Sequence, residues 1–140
     1  FIIGSLMLLF SLIFIYNQLR GGTFMKVTRL TKREADIMEI FWRSEKPLSS
    51  NDIHSLAPEI SINTIQPNLR KLNEKGYIEV VGVGFTRNSI TREYQPLITQ
   101  VEYLSAFLDE KTAYALAVSY IEKCDDPQRL EELRKLLNNK

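Results

Sequence analysis

The sequence has very few of the residues that build disulfide-linked or metal-linked scaffolds. Its 140 residues include one cysteine, Cys124, and one histidine, His54. A single cysteine excludes an intramolecular disulfide and is typical of a reducing compartment. One histidine and one cysteine are too few soft ligands for a zinc finger or a zinc hydrolase. Neither a metal nor a cofactor is therefore expected.

The chain also lacks a surplus of charge of either sign. Its 18 Lys and Arg against 17 Asp and Glu give a net charge of +1, which excludes a polycationic or acidic tail. The composition is 44% hydrophobic and 25% charged, which is typical of a globular protein. His54 is near Ser50, Asp52 and Ser55 in sequence, but a surface histidine on a polar helix face is the ordinary interpretation. No enzyme activity is predicted.

Residues 1–24 form an apolar leader that differs from the rest of the chain. Residues 1–16 contain no charged side chain and are almost entirely apolar. This stretch is shorter than the roughly 20 residues of a membrane-spanning helix, and it lacks the basic start of a signal peptide. The codons implied by residues 20–25 resemble a ribosome-binding sequence before Met25. Upstream read-through or a fragment is therefore preferred, and membrane contact is expected only if residues 1–16 are genuine.

Three helix starts are predicted from N-terminal capping boxes. In a capping box, a hydroxyl residue three positions before a carboxylate allows each side chain to bond the other's backbone. The pairs with this spacing are Thr31 with Glu34, Ser49 with Asp52, and Thr99 with Glu102. Helices are therefore predicted to begin at 31, 49 and 99. The first is expected to end near Arg43 and to bury the stripe Ala35, Met38, Phe41 and Trp42.

The next two helices are predicted between Ser50 and Gly76. The shorter one runs to about Ala57 and buries Ile53 and Leu56. The longer one carries an apolar stripe of Ile62, Ile65, Leu69 and Leu72. Pro67 interrupts this run, and proline is tolerated in a first helical turn, so a late start with Asn63 or Thr64 as N-cap is predicted. Gly76 is expected to be a left-handed C-terminal cap.

Strand-like sequence follows, from Tyr77 to Val83 and from Ile90 to Tyr94, with a glycine-containing loop over residues 82–89. Three helices followed by a β-hairpin indicate a winged helix-turn-helix domain, which we assign to residues 25–97. The predicted fold is therefore mainly α with a small β-hairpin.

Residues 98–140 are predicted to be helical, with one break at residues 125–127. There Asp126 suits an N-cap and Pro127 suits a first turn. This segment is predicted to be a helical dimerisation region, because it carries a leucine stripe that so short a segment cannot bury alone. The stripe consists of Leu130, Leu133, Leu136 and Leu137.

The polar face of the third helix carries side chains suited to reading DNA. Amides match the major-groove edge of adenine, and arginine matches that of guanine. The predicted base-reading residues are Asn63, Thr64, Gln66 and Arg70. Basic and amide residues at the first helix, on the third helix and at the hairpin tip are predicted to contact phosphates. These are Lys32, Arg33, Lys71, Arg87 and Asn88.

Three sequence runs then stand in a fixed order: LTKREADIMEIFW, PLSSNDI and LRKLNEKGYIE, with Tyr94-Gln95-Pro96-Leu97 after the hairpin. In order and spacing these runs resemble the BlaI/MecI penicillinase-repressor family, over about residues 28–140. The resemblance implies a cytoplasmic homodimeric repressor of a palindromic double-stranded DNA operator. Pro67 and a long wing loop over residues 82–89 depart from the family pattern. Copper sensing is not expected, because the cysteine-rich tail of the copper-responsive relatives is missing.

The same resemblance implies a route of release. Members of the family are inactivated when a regulatory protease cuts their C-terminal region, and the corresponding bond falls near Ser119-Tyr120. Ser119 stands where a small amide residue would match the family. The alternative is that Tyr120 and Ile121 simply pack in the dimer core.

Two other functions stay open at the level of sequence. A winged helix with near-zero net charge and a helical appendage is compatible with a protein–protein interaction module that does not bind DNA. A membrane-tethered regulator is the other alternative, and it depends on residues 1–16.

Overall fold

The structure is a computed structural model, and it describes residues 27–86 and 88–140. The apolar leader and the predicted phosphate contact Arg87 lie outside the described residues. The chain divides into two compact units, of which one ends at Leu97 and the other comprises Ile98–Lys140. Within the described ranges, every helix is too short or too polar to span a bilayer.

The N-terminal unit contains three helices and a three-stranded antiparallel sheet, which is the winged helix-turn-helix arrangement predicted from the sequence. Its helices are α1 (Lys32–Arg43), α2 (Ser50–Leu56) and α3 (Ile62–Glu74). Its strands are β1 (Leu48–Ser49), β2 (Ile78–Thr86) and β3 (Ser89–Pro96), in the spatial order β1-β3-β2.

Helix α1 begins where its cap predicts, but its carboxylate has another partner. The Thr31 hydroxyl accepts a hydrogen bond from the Glu34 backbone N–H at 3.3 Å. The Glu34 side chain is buried, and its two carboxylate oxygens accept hydrogen bonds from the Lys75 ammonium at 2.7 and 3.0 Å. The buried stripe contains Ile37, Met38 and Phe41 as well as Glu34. The predicted stripe was therefore wrong for Ala35 and Trp42, which are half-buried, since the packed face is rotated toward Ile37.

Helix α2 carries the full capping box predicted at its start. The Ser49 hydroxyl accepts from the Asp52 backbone N–H, and the Asp52 carboxylate accepts from the Ser49 backbone N–H at 2.9 Å. Ile53 is fully buried as predicted, whereas Leu56 is 63% exposed, against the prediction. Leu56 is the last residue of a short helix, so its side chain lies beyond the contact with the core.

Helix α3 begins at Ile62 with Ser61 as N-cap, so the late start predicted at Asn63 or Thr64 was wrong. The Ser61 carbonyl accepts from the backbone N–H groups of Thr64 and Ile65, both at 2.9 Å. These bonds start the helix one turn before Pro67, which therefore lies inside it. The proline removes one hydrogen-bond donor, but the buried stripe of Ile65, Leu69 and Leu72 holds the helix against the core.

The end of α3 follows the left-handed cap predicted at Gly76, whose φ is 81°. The Gly76 N–H bonds the Asn73 carbonyl at 3.1 Å, and the Tyr77 N–H bonds the Leu72 carbonyl at 3.0 Å. This pair of bonds satisfies two terminal carbonyls of the helix and requires a positive φ at the residue between them. The chain turns here from α3 into β2.

The hairpin is longer, and its loop shorter, than the sequence predicted. Gly82 pairs with Glu93 and Gly84 with Thr91, so most of the predicted loop over residues 82–89 is paired strand. Glycine fits here because a Cβ on Gly84 would lie 2.9 Å from the Thr91 hydroxyl. A β-bulge lies between Val80 and Gly82. The sequence analysis also missed β1, in which Leu48 pairs with Tyr94.

The C-terminal unit consists of α4 (Gln100–Ser105), α5 (Glu110–Lys123) and α6 (Pro127–Asn138). The capping box at Thr99 and Glu102 is present, and Asp126 caps α6 with Pro127 in the first turn, as predicted. A single break was predicted, but the helices also separate between Ser105 and Glu110. The second break follows from Asp109, which caps α5 through the Thr112 backbone N–H at 2.7 Å.

Candidate nucleic-acid interface

Helix α3 has one buried side and one side facing solvent. Ile65, Leu69 and Leu72 are buried in the core of the N-terminal unit. The described exposed residues of α3 include three of the four predicted base readers and one predicted phosphate contact. They are Asn63, Gln66, Arg70 and Lys71. The solvent-facing side of the helix therefore presents amide, guanidinium and ammonium groups.

Thr64, the fourth predicted base reader, is in a different environment. It is half-buried, and its hydroxyl lies 3.0 Å from the Ser61 hydroxyl. Its carbonyl accepts a hydrogen bond from the side-chain amide of Asn68 at 2.7 Å. The Thr64 side chain is thus engaged at the start of the helix, whereas Gln66 and Arg70 project from its exposed side.

A shallow depression brings α3 together with α2 and the hairpin. Its helical lining includes Gln66 and Arg70 from α3 and Ser50 and Asn51 from the first turn of α2. The wall contributed by β3 consists of Ser89, Ile90, Thr91, Arg92 and Tyr94. The depression therefore combines two guanidinium groups with amides and hydroxyls, which is the set of donors that phosphates and base edges accept from.

Arg92 is the cationic residue of this depression that was not among the predicted DNA contacts. It lies opposite Val83 in the hairpin and is exposed. Two residues further along β3, Tyr94 is buried and pairs with Leu48 of β1. Because side chains alternate along a strand, the burial of Tyr94 fixes Arg92 on the same face of the sheet. A period-two reading of residues 90–94 could have indicated this face.

Lys32 and Arg33 lie elsewhere. They line a second depression, between α1 and the segment at residues 57–60, together with the carboxylates Asp36, Glu39 and Glu59. The Arg33 guanidinium is 3.5 Å from the Asp36 carboxylate. The structure does not bring these two cations into the depression that holds Gln66 and Arg70. Asn88 is exposed at the end of the hairpin.

The position of α3 is fixed by two long-range polar contacts. The ion pair between Glu34 and Lys75 joins α1 to the C-terminal cap of α3 at 2.7 Å. The Tyr77 hydroxyl accepts from the Thr28 amide at 2.9 Å and donates to the Thr28 carbonyl at 2.7 Å. At the other end of α3, His54 Nδ1 lies 2.7 Å from the Ile60 carbonyl, which can only accept. His54 is half-buried, and this contact holds the turn between α2 and α3 in place.

The predicted dimerisation and cleavage residues all lie in the C-terminal unit. Leu130 and Leu133 are half-buried, and Leu136 and Leu137 are exposed. Ser119 and Tyr120 lie within α5, well inside its hydrogen-bonded helix. The Tyr120 hydroxyl accepts a hydrogen bond from Arg129 of α6 at 3.3 Å. This bond, together with the charge of nearby Asp126, raises the pKa of Arg129.

Among residues 27–86 and 88–140, no group of three or more histidine, cysteine or carboxylate side chains is placed to hold a metal. Cys124 is half-buried, and its Sγ lies 3.7 Å from the Asp126 carbonyl.

A protein-family model described as penicillinase repressor matches residues 30–138. No curated protein sequence matches. Among solved structures, the complex of hsRosR-SG is 18% identical with a TM-score of 0.42, over 81% of this chain and 94% of that one. Streptococcus pneumoniae FabT in complex with DNA is 18% identical with a TM-score of 0.42, over 99% and 91%. PerR from Streptococcus pyogenes is 22% identical with a TM-score of 0.38, over 59% and 54%.

Proposed function

Because the chain belongs to the penicillinase repressor family, a family of DNA-binding transcriptional repressors and not of enzymes, we propose that it works as a cytoplasmic homodimer on a palindromic operator. The family match confirms the resemblance seen in the sequence. It favours DNA over the protein–protein interaction module that near-zero net charge left open.

The depression between α3 and β3 carries the proposal for how DNA is bound. Exposed Gln66 and Arg70 enter the major groove, where an amide recognises adenine and a guanidinium recognises guanine. Arg92 then lies against the phosphate ridge between that groove and the hairpin. In this proposal Asn63 also reads a base, and the hydroxyl of Thr64 orients the start of the helix.

Phosphate contacts are proposed for the cations and amides around this depression. Lys71 follows Arg70 on α3 and is exposed, and Asn88 lies at the end of the hairpin with Arg87 beside it in sequence. Lys32 and Arg33 are proposed as outer contacts, weakened by the carboxylates that share their depression. Each phosphate neutralised steepens the slope of log binding constant against log salt concentration by about one.

Dimerisation is proposed for the C-terminal unit, because that unit leaves its apolar side chains uncovered. Across residues 98–140, all of which are described, Ile98 is the one buried side chain. Tyr114 is 73% exposed and Leu137 is 68% exposed. A second copy of the chain would cover these side chains together with the leucine stripe, and it would supply the second reading helix that a palindrome requires.

Release by a regulatory protease at the Ser119-Tyr120 bond is proposed from the family resemblance. The bond lies inside α5, so α5 must open locally before a protease can bind it in extended form. Cutting there separates the reading unit from α6 and its leucines. Repression then ends because two linked half-site contacts bind far more tightly than one. Mass spectrometry of the chain from induced cells tests this step, and an intact chain beside a freed operator would refute it.

The experiment that tests DNA reading begins with duplexes selected from a random pool by the full-length chain. Arg70→Ala is expected to weaken binding to the selected duplex by about 1–3 kcal/mol and to relax one base position. Gln66→Ala should relax a neighbouring position. Asn73→Ala removes an exposed amide from the same helix outside the depression and serves as the matched control. Failure to enrich any duplex would refute the proposed function.

A further inference from the structure

The outer half of the hairpin carries an apolar surface that the proposed base reading does not use. Phe85 is 81% exposed and Ile90 is 68% exposed, and they lie directly opposite each other next to the last strand pair. Val83, two residues before Phe85, is also exposed. Paired residues of an antiparallel hairpin project from the same face, so these three side chains form one patch, here called the wing patch.

The other face of the hairpin is different in character. There Gly82 and Gly84 leave the β2 side bare, and the Glu93 and Thr91 side chains of β3 lie over them. The apolar side chains are thus gathered on one face by the alternation of glycine with large residues. The register shift between Val80 and Gly82 separates this outer part of the hairpin from its buried base. Bulges of this kind increase the local twist of a hairpin.

The wing patch is continuous with the candidate nucleic-acid interface. Ile90 lines the depression that contains Gln66 and Arg70, and it shares its face of β3 with Arg92. Arg92 therefore lies two residues beyond Ile90 on the same face, next to the apolar end of the hairpin. A cation beside an apolar surface suits a ligand with phosphates at its rim and apolar base faces within a groove. Double-stranded DNA has this arrangement, because the minor groove next to an occupied major groove is bordered by a phosphate ridge.

We propose that Phe85 and Ile90 form an apolar wedge that enters the minor groove beside the half-site read by α3 and bends the operator. Apolar side chains of these types unstack base steps from the minor groove and kink the duplex by about 20–90°. Pyrimidine–purine steps such as TA unstack most easily, so the wedge adds sequence preference at a step that no polar side chain reads. This inference rests on the proposed function, since it requires α3 to occupy the adjacent major groove.

The test uses the full-length chain and the duplex it selects, with donor and acceptor dyes at the two ends to report bending. Wild-type protein is expected to bend the duplex by more than about 20° and to raise the fluorescence of 2-aminopurine at the wedged step. Replacing that step by a stiff AA step should weaken wild-type binding about tenfold. The variant Phe85→Ser/Ile90→Ser should bind an unbent duplex and should distinguish the two steps by less than about twofold.

Leu56→Ser provides the matched control, since Leu56 is a 63% exposed side chain of the same unit that does not line the depression. It should bend DNA as the wild type does. The wedge would be overturned if the wild type binds its selected duplex without bending it and the wing variant binds as the wild type does. If Gln66→Ala still disrupts that specific binding, the proposed function stands. Loss of self-association in the wing variant with an unchanged bend would assign the patch to a second copy of the chain. Failure of the wild type to select any duplex would refute both.

Discussion

The two units of the chain are both rich in helix, yet they bury their side chains very differently. Every buried apolar residue among those described, except Ile98, belongs to the unit that ends at Leu97. The N-terminal unit therefore has a core of its own. The C-terminal unit has capped helices and a single buried side chain, Ile98, so we propose that a partner surface stabilises it. A reading unit that folds alone and a helical unit completed by a second copy explain why dimerisation controls DNA binding in this proposal.

The largest effect is expected from a substitution at one of two exposed leucines, which lie in different units of the chain. Leu137→Asp should convert the dimer to monomer and weaken operator binding by about 10²–10⁴-fold, because the second half-site contact is no longer linked to the first. Leu56→Asp changes an equally exposed leucine of the N-terminal unit and should leave the dimer unchanged. Sedimentation at tens of micromolar checks both variants. A wild-type monomer under those conditions would contradict the account.

A core substitution sharpens the contrast from the other side. Phe41 is 1% exposed in α1, and Phe41→Ala should lower the free energy of unfolding by about 3–5 kcal/mol. Tyr114→Ala changes an exposed aromatic residue of the C-terminal unit and should leave the unfolding of the N-terminal unit unchanged. Urea denaturation followed by the fluorescence of the single tryptophan, Trp42, reports on the N-terminal unit. Equal losses in the two variants would show that the units share one core.

The ion pair that positions α3 is expected to have an intermediate effect. Lys75→Met leaves the buried carboxylate of Glu34 without its cation and should cost about 2 kcal/mol, reduced from the cost of a fully buried pair because Lys75 is partly exposed. The double variant Glu34→Met/Lys75→Met should recover most of this loss. Lys71→Met, at an exposed lysine of the same helix, is the control for thermal denaturation. A single variant as stable as the control would remove the pair from the account.

The smallest expected effect concerns a cap in the C-terminal unit. Hydrogen bonds from Thr112, first from its side chain and then from its backbone, lower the pKa of Asp109 below its ordinary value of 3.8. The stabilisation is therefore present above that value and is lost as the pH falls through the lowered pKa. Asp109→Asn keeps a good N-cap and removes the charge. The melting temperature of the variant should lie slightly below that of the wild type at pH 7, and the gap should close in acid.

Local signals made the helix starts and the turn after α3 predictable. The hydroxyls of Thr31, Ser49 and Thr99 bond N–H groups only three residues away, and Gly76 needs only its own φ. The start of α3 was wrongly predicted because the prediction rested on Pro67. The Ser61 carbonyl accepts the first helical N–H groups and starts the helix before that proline. Ile37 was missed because the packed face of α1 depends on what lies against it.

Features set by pairing between distant segments were not predictable in the same way. The length of the wing depends on the register of β2 with β3, in which Gly82 and Gly84 look like loop residues until Glu93 and Thr91 lie opposite them. Arg92 enters the candidate site through that register. Gln66 and Arg70 were found from the polar face of one helix, and their roles in reading bases stay predictions.

The central claim is that two copies of the N-terminal unit read DNA together because the C-terminal units join them. Hydroxyl-radical footprinting of the full-length chain on its selected duplex tests this claim most directly. The account predicts two protected half-sites related by a two-fold axis, with centres about 34–36 Å apart or a multiple of that spacing. One unrepeated protected site, bound by a single copy of the chain, would contradict it.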